Sequence, residues 1–383
     1  MGSADPLHTL ERSAITPLVR RAMHSPTVEV SEWSVNPIHS GDGEGLGVYR
    51  FFGTGEDRGQ PVGWSLILKA FGAPAEGGEE GDWNYWKREA MAYRSGLLDD
   101  LPGGIAAPRC LGVEELADGI VRLWLEDVAP ANEEPWPLHR YALAARHLGH
   151  FNGAYLVERS LPDAPWLSSN WLRGWVAANE AAMDHLKRVL DHPLVRQVYP
   201  EGVARRFLQL WTERELFLDQ LDRLPHTLCH LDAFRRNLLD RRLPDGSEQT
   251  LALDWAFVGR GALGEELGPL IQASIEFFEA EDIRAQELEE AAFHGYLDGL
   301  TDAGWRGDAR VVRFGYAAST ALRYGVGTVR LVLPVLLDER LHARVEQLLG
   351  RPKEEVFERW AEETGHMVPL TDEAHQLADV LHF

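Results

Sequence analysis

The most constraining feature of this sequence is a polar motif in its second half, His230-x-Asp232-x4-Asn237. An apolar run at 250–253 follows and leads directly into Asp254. Carboxylate and amide oxygens are the hard ligands that Mg²⁺ prefers, so Asn237 and Asp254 are predicted metal ligands. Asp232 is predicted to orient a hydroxyl group and accept its proton, and His230 is predicted to brace the loop from behind by hydrogen bonding.

Charged residues upstream predict a partner for this motif. Lys69 ends an apolar strand pattern, and Glu89 follows in a segment with helical spacing. A strand lysine paired with a helix glutamate is the arrangement that holds the α- and β-phosphates of a nucleotide in kinases. A glycine-dense stretch precedes this strand, and its backbone can approach phosphates closely because glycine carries no side chain. The nucleotide-binding glycines predicted there are Gly43, Gly45 and Gly47.

Composition narrows the class of partner. The formal net charge is −22, which argues against nucleic-acid binding because that needs a basic surface. It fits a cationic small molecule, although a large negative charge also serves solubility alone. The two cysteines, Cys110 and Cys229, are far apart in the sequence, which is compatible with a protein of a reducing compartment. The N-terminus lacks a signal-peptide pattern and no apolar run approaches the roughly 20 residues of a membrane span, so a cytoplasmic protein without a membrane partner is expected.

Hydrophobic periodicity divides the chain into a sheet-rich part and a helical part. An alternating pattern at 28–33 and strand patterns at 48–52 and 63–69, separated by glycine-rich loops, predict an antiparallel sheet, and 109–113 and 120–125 are two further predicted strands. Helical spacing predicts helices at 6–23, 83–98, 141–155, 171–188, 203–221, 270–280, 285–300, 308–331, 341–349 and 354–363. Two short apolar runs, 227–229 and 250–253, predict a small strand pair within the helical part. The predicted division is an N-lobe at 1–126 and a C-lobe at 127–383, because prolines loosen the chain after Asp127.

The order of these motifs resembles the aminoglycoside phosphotransferase and choline kinase family. The helix segment 86–93 around Glu89, the hinge-like segment 125–128, the segment 148–153 and Leu253-Asp254-Trp255 carry the resemblance. It implies an α+β, protein-kinase-like fold of two lobes and the use of ATP or GTP with Mg²⁺. It also implies that adenine bonds to the hinge at Glu126 and Val128, and that the acceptor is a hydroxyl of an aminoglycoside, amino sugar, amino alcohol or related metabolite.

The chain departs from the family pattern at two places. Leu46 stands where a third loop glycine would fall, and Leu231 stands where many members have glycine before the catalytic aspartate. No Ala-Pro-Glu signature is visible, which argues against a protein Ser/Thr kinase but leaves that reading open. A nucleotide-binding pseudokinase or regulatory protein is the second alternative.

Two acidic groups are candidates for contact with the acceptor. Glu265 and Glu266 follow Asp254 closely and are predicted substrate residues, although acidic residues also favour a helix start. The acidic run that begins at Glu276 either attracts a cationic acceptor or is a solvated helix face. The sequence does not reveal the oligomeric state.

Overall fold

The computed structural model describes residues 10–40, 46–74, 78–117, 119–131 and 135–382. Its strands are β1 (Glu29–Ser40), β2 (Gly47–Asp57), β3 (Gln60–Phe71), β4 (Ile105–Ala106), β5 (Cys110–Glu115), β6 (Val121–Glu126), β7 (His226–Cys229), β8 (Leu238–Arg242), β9 (Glu248–Ala252) and β10 (Gly259–Ala262). Its α-helices are α1 (Arg12–Ala22), α2 (Arg88–Arg94), α3 (Leu138–Val157), α4 (Trp171–Ala177), α5 (Glu180–Val189), α6 (Pro193–Val198), α7 (Glu201–Leu221), α8 (Ser274–Glu276), α9 (Ala285–Asp302), α10 (Ala309–Thr320), α11 (Val329–Leu337), α12 (His342–Leu349) and α13 (Lys353–Leu381).

The N-terminal part is a five-stranded antiparallel sheet in the order β1-β2-β3-β6-β5. Helix α1 packs on one face of it, where Ile15, Leu18 and Val19 are buried against strand residues. Helix α2 and the helical part cover the other face, and Leu123 and Leu125 of β6 belong to that larger core. The small antiparallel sheet followed by a larger helical part confirms the predicted α+β, two-lobed, kinase-like fold. Strand β6 ends at Glu126 and α3 begins at Leu138, but the lobe boundary at 126 stays a prediction.

The first three strands are longer than predicted, and β2 extends past its predicted end at 52 through Gly53 and Gly55. Gly53 pairs with Trp33 across β1 and β2, and a Cβ added to Gly53 would lie 2.0 Å from the Glu32 carbonyl oxygen. Glycine is therefore needed there for close approach of two strands. The actual turn between β2 and β3 is Arg58-Gly59, where both residues have positive φ, 52° and 78°. Two such residues match the tight hairpin turns that suit twisted strands.

Helix α2 is much shorter than the predicted helix 83–98. The Arg88 side chain is fully buried and donates hydrogen bonds to the carbonyl oxygens of Asp82, Trp83, Trp166 and Ala256. Arg88 thus uses carbonyl groups that a longer helix would need for itself, and the residues before it form turns. The same contacts tie the start of α2 to the helical part.

Two predicted long helices of the C-terminal part are broken. The predicted helix 171–188 divides between α4 and α5 at Asn179, which is fully buried. Its amide nitrogen donates to the carbonyl oxygens of Trp175 and Gly327, each at 2.9 Å. Asparagine side chains compete with helix hydrogen bonds in this way. The predicted helix 308–331 divides into α10, a π-helical turn at Ala321–Val326, and α11. Helix α13 instead runs on well past the predicted end at 363.

The two short apolar runs predicted to pair with each other lie in different sheets. Strand β7 pairs antiparallel with β10, whereas β9 pairs antiparallel with β8 and parallel with β4. Apolar content alone carried no information on strand partners, so this pairing was predicted wrongly. The outcome is that the motif at 230–237 lies between two small sheets that anchor both of its ends.

Helices α3 and α9 pack unusually closely through glycines. A Cβ added to Gly149 would lie 2.1 Å from the Tyr296 carbonyl oxygen, and one added to Gly299 would lie 1.9 Å from that of Arg146. Between these contacts, Asn152 donates to the Leu228 carbonyl oxygen at 2.7 Å and accepts from the Tyr296 hydroxyl at 2.6 Å. The helix pair therefore fixes β7, the strand that enters the catalytic motif.

One helical segment of the described chain, Ala309–Leu337, has the length and composition that a membrane-crossing helix requires. Most of its apolar part is buried against neighbouring helices, as in the core helix of a folded domain.

Candidate active site

Lys69 connects the sheet to the helical part through two carboxylates. Its Nζ lies 2.5 Å from Oε2 of Glu89 on α2 and 3.0 Å from Oδ1 of Asp254. Burial alone would lower the pKa of Lys69, but the two carboxylates outweigh it and raise that pKa. Lys69 therefore carries a positive charge at the mouth of the site. These are three of the predicted residues, and the fold brings them together.

Asp254 is held in an uncommon backbone conformation. Its φ and ψ are 61° and 68°, in the left-handed region that non-glycine residues rarely occupy. The next residue is locked: the Trp255 ring is fully buried, its indole N–H donates to the Ala252 carbonyl oxygen at 2.9 Å, and its backbone N–H donates to Glu89 at 3.3 Å. Strained residues held by such surroundings cluster at functional sites. Here the strain directs the Asp254 carboxylate toward Lys69.

His230 lies behind the loop as predicted. Its Nε2 lies 2.8 Å from the Leu253 carbonyl oxygen, and its Nδ1 lies 3.2 Å from the backbone N–H of Asp232. The carbonyl needs a donor and the N–H needs an acceptor, so these partners assign the neutral tautomer protonated at Nε2. Burial also favours the neutral ring, because it lowers the pKa of His230 to about 4. His230 thus joins the segment that leads into Asp254 to the Asp232 loop without adding charge.

The Asp232 carboxylate has two protein partners. Oδ1 accepts a hydrogen bond from Nη2 of Arg323 at 2.7 Å, and Oδ2 accepts one from the Asn237 amide at 3.2 Å. The same amide donates to the Asp232 backbone carbonyl at 3.0 Å. Burial raises the pKa of Asp232 to about 6, while Arg323 acts in the opposite direction. The pKa of the Asp232 carboxyl group consequently lies well above the usual range of aspartate.

Leu231, the residue before Asp232, stands where many members of the family have glycine. Leu231 has a φ of 63°, the region that favours glycine. Its side chain is nevertheless buried in the core, and its backbone N–H donates to Oε1 of Glu266 at 3.0 Å. Oε2 of Glu266 accepts from the His230 N–H at 2.8 Å. One buried carboxylate therefore clamps two successive peptide groups of the loop.

The other predicted substrate residue also faces a backbone amide. Oε2 of Glu265 accepts from the Ala262 N–H at 3.0 Å. Burial raises the pKa of both Glu265 and Glu266 to about 7. A contact of either residue with substrate stays a prediction; the contacts that the structure records are with the backbone around the loop.

A cleft of about 580 Å³ opens above the Lys69 group. Apolar walls from the sheet and from the helical part enclose it, and Glu126, Asp127 and Val128 of the predicted hinge line one side. Arg50 of β2 is tied to this segment, because its Nε lies 2.8 Å from Oδ2 of Asp127. Ligand sites commonly have volumes of about 300–1,000 Å³, so the cleft has the size for a nucleotide.

The glycine-rich stretch is only partly described. Gly47 begins β2 with a φ of 132°, which is accessible to glycine but strained for other residues. The predicted nucleotide-binding residues Gly43 and Gly45 lie outside the described residues.

A second, narrow cavity lies within the helical part. Glu276, Glu363 and Gln272 line it, together with aromatic residues that include Tyr324. It holds about 20 Å³, room for about one water-sized group. Oε1 of Glu363 and Oε1 of Gln272 are buried and receive no hydrogen bond from the described part of the chain. Burial raises the pKa of Glu276 to about 7, and burial together with Glu276 raises that of Glu363.

Sequence reasoning missed Arg323, Glu363 and Gln272 as site residues. Arg323 lies 91 residues beyond Asp232, inside a helical pattern that the motifs do not reach. One signal was present: a charged residue within a long apolar helical pattern is rarely buried unless it is paired. Glu276 was noted only as part of an acidic run, and its burial becomes visible only in the fold.

Comparison with protein-family models and with curated proteins gives no match to this sequence. The structure, by contrast, resembles solved small-molecule kinases. An amicoumacin kinase in complex with AMP-PNP and Ca²⁺ shares 15% identity with a TM-score of 0.52, over 89% of this chain and 91% of that one. A choline kinase from Cryptosporidium parvum Iowa II shares 12% identity with a TM-score of 0.52, over 96% and 97%.

A third resemblance is to an aminoglycoside phosphotransferase from Alicyclobacillus acidocaldarius, with 14% identity and a TM-score of 0.50 over 91% of this chain and 93% of that one. Each likeness extends over nearly the whole of both chains, so it includes the helices that the sequence motifs did not reach. The chain therefore has the protein-kinase-like fold of the aminoglycoside phosphotransferases and choline kinases, as its motifs implied.

Proposed function

We propose that this protein is an ATP- or GTP-dependent O-phosphotransferase that acts on a hydroxyl group of a small, amine-bearing molecule. The observation that carries the proposal is the position of Lys69, which contacts Glu89 and Asp254 at one edge of a nucleotide-sized cleft. Asp232 and Asn237 complete the set of side chains that phosphoryl transfer requires. A pseudokinase usually lacks one of these five residues, so their assembly supports an active enzyme.

The cleft offers suitable partners for each part of a nucleotide. Its apolar walls suit a purine base beside Glu126 and Val128, and Lys69 suits the α- and β-phosphates. Gly47, with the Gly43 and Gly45 stretch before it, would cover the phosphates. The amicoumacin kinase of the same fold binds an ATP analogue, which supports this assignment.

Asn237 and Asp254 fit a magnesium ion. The Asn237 amide nitrogen faces Asp232, so its oxygen is turned away, and no described residue donates to that oxygen. Groups of three His, Cys, Asp or Glu residues suited to a metal are absent from the described chain, but Mg²⁺ commonly binds through one or two protein ligands plus substrate phosphates. Mg²⁺ bound there would neutralise the phosphate oxygens during transfer.

Asp232 would orient the acceptor hydroxyl and take up its proton. The other groups around it act on its position. Asn237 and His230 form hydrogen bonds with the backbone of Asp232, and Glu266 accepts a hydrogen bond from the backbone N–H of His230. A carboxylate that is already fixed in place loses little freedom on reaction, which is how preorganised groups lower a barrier.

The narrow cavity beside Arg323 is suited to a cationic group of the acceptor. The carboxyl groups of Glu276 and Glu363 would ionise against a bound cation, and the unpartnered Oε1 of Gln272 supplies a further acceptor for N–H groups. Aromatic rings on its walls favour cations as well. Burial raises the pKa of Tyr324, which lines this cavity, and the charges of Arg323 and Asp232 also act on its hydroxyl, so the cavity lies near the Asp232 side of the site.

A turnover screen tests the function directly. Purified protein is incubated with MgATP or MgGTP and a panel of amino alcohols, amino sugars, aminoglycosides and amine-free sugars. We expect acceptor-dependent release of ADP or GDP with amine-bearing compounds and formation of their phosphate esters. Nucleotide binding without transfer to any acceptor would favour the pseudokinase alternative, and transfer only to protein substrates would favour a protein kinase.

A matched pair of substitutions tests the amine cavity. Glu363→Gln removes a carboxylate that lines it, whereas Glu362→Gln changes the neighbouring, largely exposed carboxylate of the same helix. Only the first should raise KM for an amine acceptor, by roughly 10-fold or more, since lost hydrogen bonds to charged groups cost about 1.5–3 kcal/mol. KM for ATP should change in neither variant. Equal effects of the two substitutions on the acceptor KM would contradict the assignment.

A further inference from the structure

We infer that Arg323 is a positioning residue for phosphate transfer, which fixes one carboxylate oxygen of Asp232 and leaves the other for the acceptor hydroxyl. The inference rests on the proposed function and adds a residue that none of the sequence motifs contains.

The contacts of Arg323 divide the Asp232 carboxylate into two unlike oxygens. Nη2 donates a charged hydrogen bond to Oδ1 at 2.7 Å, and Nη1 donates to the backbone carbonyl of Leu231. Within the described part of the chain, Oδ2 has only the longer contact, 3.2 Å, to the neutral amide of Asn237. Charge-assisted bonds are about twice as strong as neutral ones. Oδ2 is therefore the oxygen with capacity left for an incoming hydroxyl.

The guanidinium group is itself held firmly. Arg323 is 8% exposed, and its guanidinium lies over the Trp171 ring, 4.3 Å from the ring centroid. The Arg323 carbonyl oxygen accepts a hydrogen bond from the Trp175 indole at 3.3 Å, so backbone and side chain are both restrained. Arg323 lies in the π-helical turn Ala321–Val326. Such π turns inside helices are frequent at functional sites.

A lysine could not reproduce this arrangement. The two nitrogens of one planar guanidinium reach a peptide oxygen and a carboxylate oxygen of adjacent residues at the same time. An ammonium group is a point charge on a flexible stem and offers no such planar pair of donors. The pair therefore fixes the direction of the Asp232 side chain as well as its charge.

The test compares three variants in steady-state transfer with MgATP and the best acceptor from the turnover screen. Arg323→Ala should lower kcat by about 10- to 100-fold, below the 10²–10⁴-fold of a complete general base, because Asp232 remains but is less well oriented. KM for ATP should stay within about twofold, since misplacement acts on the transition state rather than on nucleotide binding. Arg323→Lys should recover only part of kcat.

The matched control is Arg330→Ala. The Arg330 guanidinium lies over the Trp175 ring at the same centroid distance, 4.3 Å, but its contacts do not include Asp232. This variant should keep kcat close to the wild-type value. An equal loss of kcat in both variants would indicate that stacked arginines here only support the fold, and would overturn the inference.

Chemical rescue separates positioning from packing. Millimolar guanidinium should restore part of kcat to Arg323→Ala, whereas urea, which is planar and uncharged, should not. Rescue by urea to the same extent, or wild-type kcat in Arg323→Ala without any addition, would overturn the role. If Arg323→Ala fails to fold, Arg323→Lys carries the test, and wild-type kcat in that variant overturns it. Absence of turnover in the wild-type protein would overturn the proposed function, and this role with it.

Discussion

At the scale of single residues, the charge of Asp232 is set by two opposing effects. Burial raises its pKa to about 6, and the buried Arg323 limits that rise. A base with a pKa just below neutrality is mostly ionised at pH 7 and still accepts a proton readily. His230, whose pKa burial lowers to about 4, stays neutral throughout this range and does not compete for the proton.

We expect kcat/KM for the acceptor to fall as the pH drops through about 6. The sign follows from the raised pKa: only ionised Asp232 accepts the hydroxyl proton, and protonation becomes dominant below that pKa. The loss should approach about 10-fold per pH unit on the acid side. The measurement is a rate profile from pH 4.5 to 8.5, with a check that the protein remains folded at each pH. A flat profile down to pH 4.5 would contradict the role of Asp232.

Sequence reasoning identified most of this site because its residues lie in short motifs. Lys69, Glu89 and Asp254 were predicted to act together, and the fold places all three within one hydrogen-bonded group. Their roles in binding and catalysis stay predictions until turnover is measured. Arg323 could not be predicted, since its contact with Asp232 depends on how a distant helical segment packs and no local pattern encodes that.

At the scale of secondary-structure elements, the contact between α3 and α9 depends on glycine. A side chain on Gly299 would overlap the α3 backbone, because its Cβ would lie 1.9 Å from the Arg146 carbonyl oxygen. The closeness has a consequence for the site, because α3 carries Asn152, which holds the strand that enters the catalytic loop.

Gly299→Ala should therefore lower the free energy of unfolding by about 1–3 kcal/mol, the usual cost of overpacking. Gly365 provides the control: it lies in α13, and a Cβ added there meets nothing within 4 Å. Gly365→Ala should raise stability by up to about 1 kcal/mol, because alanine is the better helix former. Urea unfolding monitored by circular dichroism measures both. A Gly299→Ala protein as stable as wild type would show that the two helices separate at little cost.

Elements were predictable where local pattern decides them and not where tertiary contacts do. Strands β5 and β6 were predicted to within two residues, since β6 is a short apolar run that is buried on both faces. The breaks at Asn179 and at the π-helical turn were missed because they depend on contacts between distant segments, such as Asn179 with Gly327. Strand length was underestimated where Gly53 allows β1 and β2 to approach.

At the scale of the whole molecule, the cleft joins the two parts of the chain. Lys69 comes from the sheet and Asp254 from the helical part, and their ion pair lies at the junction. A nucleotide bound there would contact both parts at once. Binding to the folded state alone stabilises it by mass action.

We expect MgATP to raise the melting temperature of the wild-type protein. The stabilisation should be about 2.7 kcal/mol when free nucleotide is 100 times its Kd. Asp254→Asn should lose most of this effect because it removes the charged ligand proposed for the metal. Asp232→Asn is the control and should keep the effect, since Asp232 is assigned to the acceptor. An equal shift in Asp254→Asn and wild type, with and without excess EDTA, would contradict the proposed metal site.

The central claim, that Asp232 serves an acceptor hydroxyl in an active phosphotransferase, is tested most directly by a single-turnover assay. Wild-type protein and Asp232→Asn are each loaded with γ-labelled ATP and Mg²⁺, and label in an amine-bearing acceptor is followed over time. We expect transfer by the wild type and a rate lower by roughly 10²–10⁴-fold in Asp232→Asn, with nucleotide still bound. Equal transfer by the two proteins, or none by the wild type, would contradict it.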